Sequence, residues 1–356
     1  MSGRGRGARL LLDATGCALL AAAAVLATIA ERHGGNAGPF IATLFAVAGA
    51  FALGRVLGLV HRALVPAAVV VVIAAVALTT GSVGGGYPLA GSFGYRNATG
   101  AFYVQGVVAA LIVSSAVRWW PVRALGIAAA VPLAVVAVQV SVAATVSLLV
   151  VPIALLALGG IRKVRLSILV ACALFVVVLA GTVVLGGAYR PGGEGVLAGA
   201  LTVRRLELWH ESLGIIANHP GGVGPGRFAE VSSVALGDVD AHWAHQEFLQ
   251  QGVELGWAGL AVSVLLFLWG FARLWAHPAP DLVVAFGAAS LAALGIHASV
   301  DYVLHFLAVP LAAAALVGTA QAVPIRRFRR GRHEHRPEGV EDGAHAVGVA
   351  RSPKAG

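Results

Sequence analysis

Residues Ala244 to Leu260 read AHQEFLQQGVELGWAGL and lead into an apolar stretch that extends from Val253 to Phe271. One histidine, His245, therefore stands where a polar segment turns into a run of membrane-spanning length. At 3.6 residues per turn, His245, Leu249, Gly252 and Gly256 share one helix face, while Glu247 and Glu254 point roughly the other way. The spacing predicts a titratable ring at a water–membrane boundary, backed by small residues that admit a neighbouring helix. An imidazole so placed suits proton transfer on a substrate that is itself half in the membrane.

The rest of the chain supplies the membrane. Its 356 residues are 58% hydrophobic and only 12% charged, with a mean hydropathy of +0.86. A soluble domain carries about a quarter charged residues, so an all-α polytopic membrane protein is expected. Apolar runs fall near 10–30, 39–60, 63–80, 99–117, 124–141, 143–160, 166–187, 252–271, 282–299 and 302–320. The pair at 124–160 is one run, split by a tight turn near Gln139 to Thr145. About ten transmembrane helices follow, forming a membrane unit over 1–324 with a single long loop at 188–250. The run from Leu10 to Ala30 exceeds the roughly 7–15 apolar residues of a signal core and reads as an uncleaved first span.

Charge placement orients these spans. Nineteen of the twenty-five Lys and Arg residues fall at the ends that ten spans would leave in the cytoplasm, with both termini there. The net charge of +9 is thus an orientation signal plus a basic, polar tail at 325–356, which reads as disordered; a nucleic-acid partner is not indicated. Arg32, Arg96, Arg190, Arg204, Arg205 and Arg227 are left on the outer side, five of them within 81–98 and 188–250. Insertion disfavours positive charge there, so these arginines are candidates for function. Within the loop, Leu206, Trp209, Leu213 and Ile216 make an apolar stripe at helical spacing, with Arg205 at its edge and Arg204 opposite. His219-Pro220 ends that helix, and the glycines after it predict a tight, mobile turn. Gly54 and Gly58 form a G-x-x-x-G pair suited to helix packing, and Cys17 and Cys172 read as small core hydrophobes.

Three segments resemble, in order, the bacterial O-antigen ligase and polymerase superfamily. Ala244, His245, Gln246, Leu249, Glu254, Gly256, Gly259 and Leu260 follow its A-H-N-x-x-L-x-x-x-x-E-x-G-x-x-G-L signature, with Gln246 in place of Asn. Arg205 to Trp209, then His219 to Phe228, resemble its R-x-x-x-W and P-x-x-G-v-G-p-G-x-F elements. Gly91 to Gly100 resembles its G-t-f-G-N-x-N segment, with Tyr95 where Asn is common. An S-R-g element of the family is represented by Ser141 to Thr145 without its arginine.

The resemblance implies a glycosyltransferase of GT-C-like architecture in the bacterial inner (plasma) membrane. Such an enzyme transfers a glycan from an undecaprenyl-diphosphate carrier to a glycan or lipid acceptor hydroxyl at the outer face. In that scheme His245 is the general base, and Arg205, Arg96 and Arg227, with Asn97 and Gln246, contact the diphosphate or the sugar. Guanidinium forks match phosphate oxygens and do the work that many glycosyltransferases assign to a metal, so no cofactor is expected. His297 and Asp301, in an H-x-x-x-D arrangement, would orient a substrate or His245, or form a local hydrogen-bonded pair.

Blander alternatives accompany each residue. His245 could be an interfacial histidine bonded to a loop, Arg205 a snorkelling side chain, and Arg96 and Arg227 carbonyl caps. Asp238, Asp240, His242 and His245 could bind Mn²⁺ or Zn²⁺, although polar loops produce such clusters by chance. Gly222 to Gly226 lacks the Lys-Ser/Thr of a P-loop. The residues do not separate a ligase from a polymerase. A small-solute transporter is disfavoured because the polar residues gather on one face, and an inert scaffold remains a further alternative.

Overall fold

The computed structural model describes residues 3–79, 93–190, 203–237 and 242–323. All regular structure among them is helical. In chain order the helices are α1 (Gly3–Ala30), α2 (Gly38–Val60), α3 (Leu64–Thr79), α4 (Arg96–Ala116), α5 (Trp120–Val140), α6 (Val142–Leu148) and α7 (Val150–Leu155). There follow α8 (Ile161–Ala188), α9 (Val203–Asn218), α10 (Phe228–Val231), α11 (Ser233–Leu236), α12 (Glu247–Trp275), α13 (Leu282–Ala298) and α14 (Ala308–Gln321). Among the described residues seven helical segments are long and apolar enough to cross a membrane, and Leu64–Leu78, α13 and α14 are shorter apolar helices. The chain is an all-α, multi-pass membrane protein.

Two kinds of helix make the bundle. α4 and α13 are interior, buried from Ala98 to Ala110 and over nearly all of Val283 to Ala298. Their Ala and Gly content lets backbones approach closely where the bilayer supplies no hydrophobic drive between helices. α1, α2, α5 and α8 instead present Leu10, Phe45, Leu125 and Val177 outward. Such a surface suits lipid and would be costly in water.

The G-x-x-x-G pair packs as expected. A Cβ at Gly54 or Gly58 would collide with the Ala315 carbonyl or with Ala322, so these glycines set how closely α2 meets α14. The Thr319 hydroxyl lies 3.3 Å from the Gly54 carbonyl across this seam. Away from the loop end, Asp13 of α1 binds Arg55 of α2 and Arg273 of α12, both at 2.9 Å, which satisfies its charge within the bundle.

Several expectations change in detail. The run at 124–160 does turn within residues 139–145, at Ser141, which ends α5 and caps α6 by accepting from the Ala144 amide, but its second half is divided among α6, α7 and a 3-10 turn. Cys17 is exposed on α1, not in the core. His245 is not part of α12: it precedes the Gln246 cap, and Gly256, at φ +76°, breaks α12 nine residues from its start. A shared helical face from His245 to Gly256 therefore does not exist.

The glycine loop after α9 is tight, and it packs against α12. The amides of Val223 and Gly224 donate to the carbonyls of Val253 and Glu254, and the Trp257 amide donates to Pro220. The break in α12 exposes backbone, and this loop satisfies it. Side chains at Gly222 or Gly256 would strike the opposing main chain. Gly91, Ser92, Asp238, Asp240 and the 325–356 tail lie outside the described residues.

Candidate functional site

α9 lies against α8 and α12, with Leu206, Leu208, Trp209 and Ile216 buried. It is thus packed into the bundle wall. Residues four apart on a helix share a face, so Arg205 and Trp209 both look toward the segment that precedes α12. The Trp209 indole N–H donates to the His245 carbonyl at 3.1 Å. His245 is the one described non-glycine residue with positive φ, at +50°. A left-handed backbone at a non-glycine residue costs roughly 1–2 kcal/mol, and Trp209 is one of the contacts that holds it.

Asp301 is the hub. It follows the end of α13, its side chain is fully buried, and five donors converge on its carboxylate. His245 Nδ1 lies 3.1 Å from Oδ1, Arg205 Nη2 donates to Oδ2 at 2.9 Å, and the Tyr95 hydroxyl donates to both oxygens at 2.8 and 2.7 Å. Asn97 Nδ2 donates to Oδ2, and the Tyr302 amide donates to Oδ1 at 2.8 Å. Burial alone would raise the Asp301 pKa. The hydrogen bond from His245 and the charge of Arg205 outweigh burial and hold it at about 2. Burial and the neighbouring carboxylate push the Tyr95 phenol far above its usual value, so it remains a donor.

This geometry fixes the imidazole. A carboxylate only accepts, so in the neutral imidazole Nδ1 of His245 carries the proton and Nε2 keeps its lone pair. Among the described residues no protein donor engages Nε2. Tyr302 meets the ring edge-on at 4.8 Å and stacks on Tyr95 at 4.8 Å, while Trp243 stacks on Tyr302 at 5.9 Å. Arg205 has Asp301 as its one hydrogen-bonding partner among the described residues, which leaves fork donors for an anion beside the ring.

The other sequence candidates separate. Asn97 is within the cluster, and its Oδ1 accepts from Ser141 at 2.7 Å. Arg96 is exposed at the start of α4, one residue from Tyr95, with Nη2 3.5 Å from the Gln139 carbonyl. Arg227 binds Glu230 at 2.6 Å and the His33 carbonyl at 2.6 Å and makes no contact with the Asp301 group. Gln246 is buried, accepts from the Leu249 amide at 2.5 Å and donates to Thr182 at 3.3 Å, which makes it a helix cap. His297 is buried within α13, and neither ring nitrogen has a hydrogen-bond partner, so a bonded His297–Asp301 pair is not formed. α13 ends at Ala298, which breaks the helical register that would have aligned them.

Sequence reasoning offered Asp301 as a support that would orient His245, which it does, and named Trp209 beside Arg205, but it missed that Asp301 is the hub of the cluster and missed Tyr302. A buried acid next to an apolar run was the available signal for the first. Among the described residues no three potential metal ligands gather, and the Asp238 and Asp240 of the metal alternative are not described. The chain matches no family model and no curated protein.

Proposed function

We propose that the chain is a membrane glycosyltransferase that moves a glycan from an undecaprenyl-diphosphate carrier to an acceptor hydroxyl, with His245 as general base. The observation that supports this most is the orientation of one imidazole by a buried Asp301 carboxylate, with a guanidinium on the same carboxylate. The acceptor oxygen attacks the anomeric carbon while its proton passes to His245 Nε2. The bond between that carbon and the phosphate oxygen breaks, and the diphosphate leaves with the electron pair. Charge grows on the leaving oxygen, and the free donors of Arg205, with Arg96 nearby, are suited to receive it. Asp301 stabilises the imidazolium that forms, as a carboxylate partner does for other histidine bases. The flat faces of Trp243 and Tyr302 beside the ring offer apolar surface with a polar edge, which suits a sugar.

On this reading the site end faces the outside, the termini face the cytoplasm, and α3, α13 and α14 complete ten spans. The test is genetic and chemical. Cells carrying His245→Ala should accumulate the carrier-linked glycan and lose the transferred product, with the variant still in the membrane. Unchanged transfer removes the base role. A product that remains carrier-linked but longer identifies a polymerase.

A further inference from the structure

Two residues after His245, the chain supplies a second acid–imidazole pair. Glu247, in the first turn of α12, is buried and both of its oxygens are committed. Oε1 accepts from Gln251 Nε2 at 3.3 Å, and Oε2 lies 3.2 Å from His305 Nδ1. His305 closes the 3-10 turn Val303–His305 between α13 and α14. Its side chain is 27% exposed, against 4% for that of Glu247, so water reaches the ring far more readily than the acid. The pair bears on the site through one indole. The Trp243 ring is centred 4.0 Å from that of His305, and it also stacks on Tyr302 at 5.9 Å with 21° between the planes. Tyr302 in turn meets His245 edge-on at 4.8 Å.

An aromatic face attracts a cation, so a charged His305 holds the indole more firmly than a neutral one does. A neutral His305 also leaves the buried Glu247 with an amide as its remaining partner, and a buried carboxylate without a matching charge is costly. One proton therefore decides both contacts. Burial works against charge on the ring, but Glu247, by its charge and its hydrogen bond, then Glu254 and the Tyr302 backbone, outweigh burial and raise the His305 pKa. Glu254, also on α12, accepts from Gln250 at 2.5 Å. The 3-10 turn packs on α4, α13 and α14. α14 carries no ionisable side chain, α13 brings His297, and α4 brings the buried Tyr103 and Arg96, which reaches the Gln139 carbonyl. Arg227 and Glu230, which line the same cavity as His305, are paired with each other. Arg205, Tyr95 and His245 are bound to Asp301, and His242 is exposed.

We propose that Glu247 and His305 are positioning residues for Trp243: with His305 charged the indole is held against Tyr302 beside His245, and with the ring neutral it is released. The contact is complete at low pH and is lost as pH rises through the value at which His305 gives up its proton. Trp243 offers its face to the sugar in the proposed function, so the pair would tune affinity for the glycan donor. That step rests on the proposed function; the hold on the indole does not.

The test reads Trp243 directly. A charged imidazole quenches indole emission, so the difference in fluorescence between the purified full chain and its Trp243→Phe variant isolates this residue. Measured in detergent from about pH 5 to about pH 9, that difference should be small at acid pH and grow in one transition. The midpoint should lie above 6.5, the ordinary histidine value. Glu247→Gln should move it to lower pH, and His305→Gln should remove the transition. A difference that does not change with pH overturns the proposal without any variant of the pair, and so does a transition that survives His305→Gln. Transfer kinetics add the link to the site. His305→Gln should raise KM for the glycan donor about two- to fivefold, the worth of one exposed cation–π contact, with kcat retained. A lower kcat at unchanged KM would show that the pair only supports folding, which overturns the positioning role. Absence of transfer by the parent chain contradicts the proposed function instead, and the fluorescence titration then decides the hold on Trp243 by itself.

Discussion

Trp209 donates its indole N–H to the carbonyl of His245, while Arg205, one helical turn earlier, binds the carboxylate that orients the His245 ring. One face of α9 therefore controls both the backbone and the side chain of the same residue. The R-x-x-x-W spacing is a geometric requirement of that double contact.

Trp209→Phe keeps most of the buried volume and removes the donor. The His245 carbonyl is then left unmatched, and stability in detergent should fall by about 1–3 kcal/mol. Thermal unfolding measures this, and transfer should decline further than the fraction of folded protein does. A variant as stable as the parent would show that the bond is incidental.

The positive φ at His245 separates backbone from side-chain effects. Glycine adopts this conformation without strain and alanine does not. His245→Gly should therefore unfold at a higher temperature than His245→Ala, by the equivalent of about 1 kcal/mol, although it removes more of the side chain. The reverse order would contradict a left-handed backbone at this residue.

Asp301 makes a pH prediction. Its folded pKa, about 2, lies below the ordinary aspartate value near 4. A depressed carboxylate contributes stability that is complete above the unfolded value and lost as pH falls through the folded one. The window is thus roughly pH 4 down to 2, and the contribution is of order 2 kcal/mol at about 1.4 kcal/mol per unit. Acid unfolding of the parent should show this loss, and Asp301→Asn should be less stable at neutral pH and flatter across the window.

Arg205→Lys preserves charge but not the fork. A lysine can reach Asp301 or an incoming phosphate, whereas the guanidinium can serve both. Transfer should fall about tenfold or more, while the acid limb due to Asp301 persists in stability measurements. Undiminished transfer would confine Arg205 to a structural role.

The bundle was legible because lipid-facing helices need long apolar runs, and composition alone reveals those. The A-H-Q and R-x-x-x-W elements also pointed to the residues that meet. Two features were hidden. Periodicity placed His245 on the helix of Leu249 and Gly256, but Gln246 caps that helix and Gly256 breaks it, and both are local backbone events within an unbroken apolar pattern. His297 and Asp301 looked like one helical turn, yet α13 ends between them, and Asp301 instead gathers donors from residues 95, 97, 205 and 245. Such convergence is tertiary, and no spacing within one segment encodes it.

The most direct measurement is transfer by purified His245→Gly from an undecaprenyl-diphosphate-linked glycan, with and without added imidazole. Glycine keeps the left-handed backbone, so the change isolates the ring. The rate should fall by about 10²–10⁴, the contribution of a positioned base, and imidazole in solution should restore part of it. Transfer at the parent rate without imidazole would contradict the role assigned to His245.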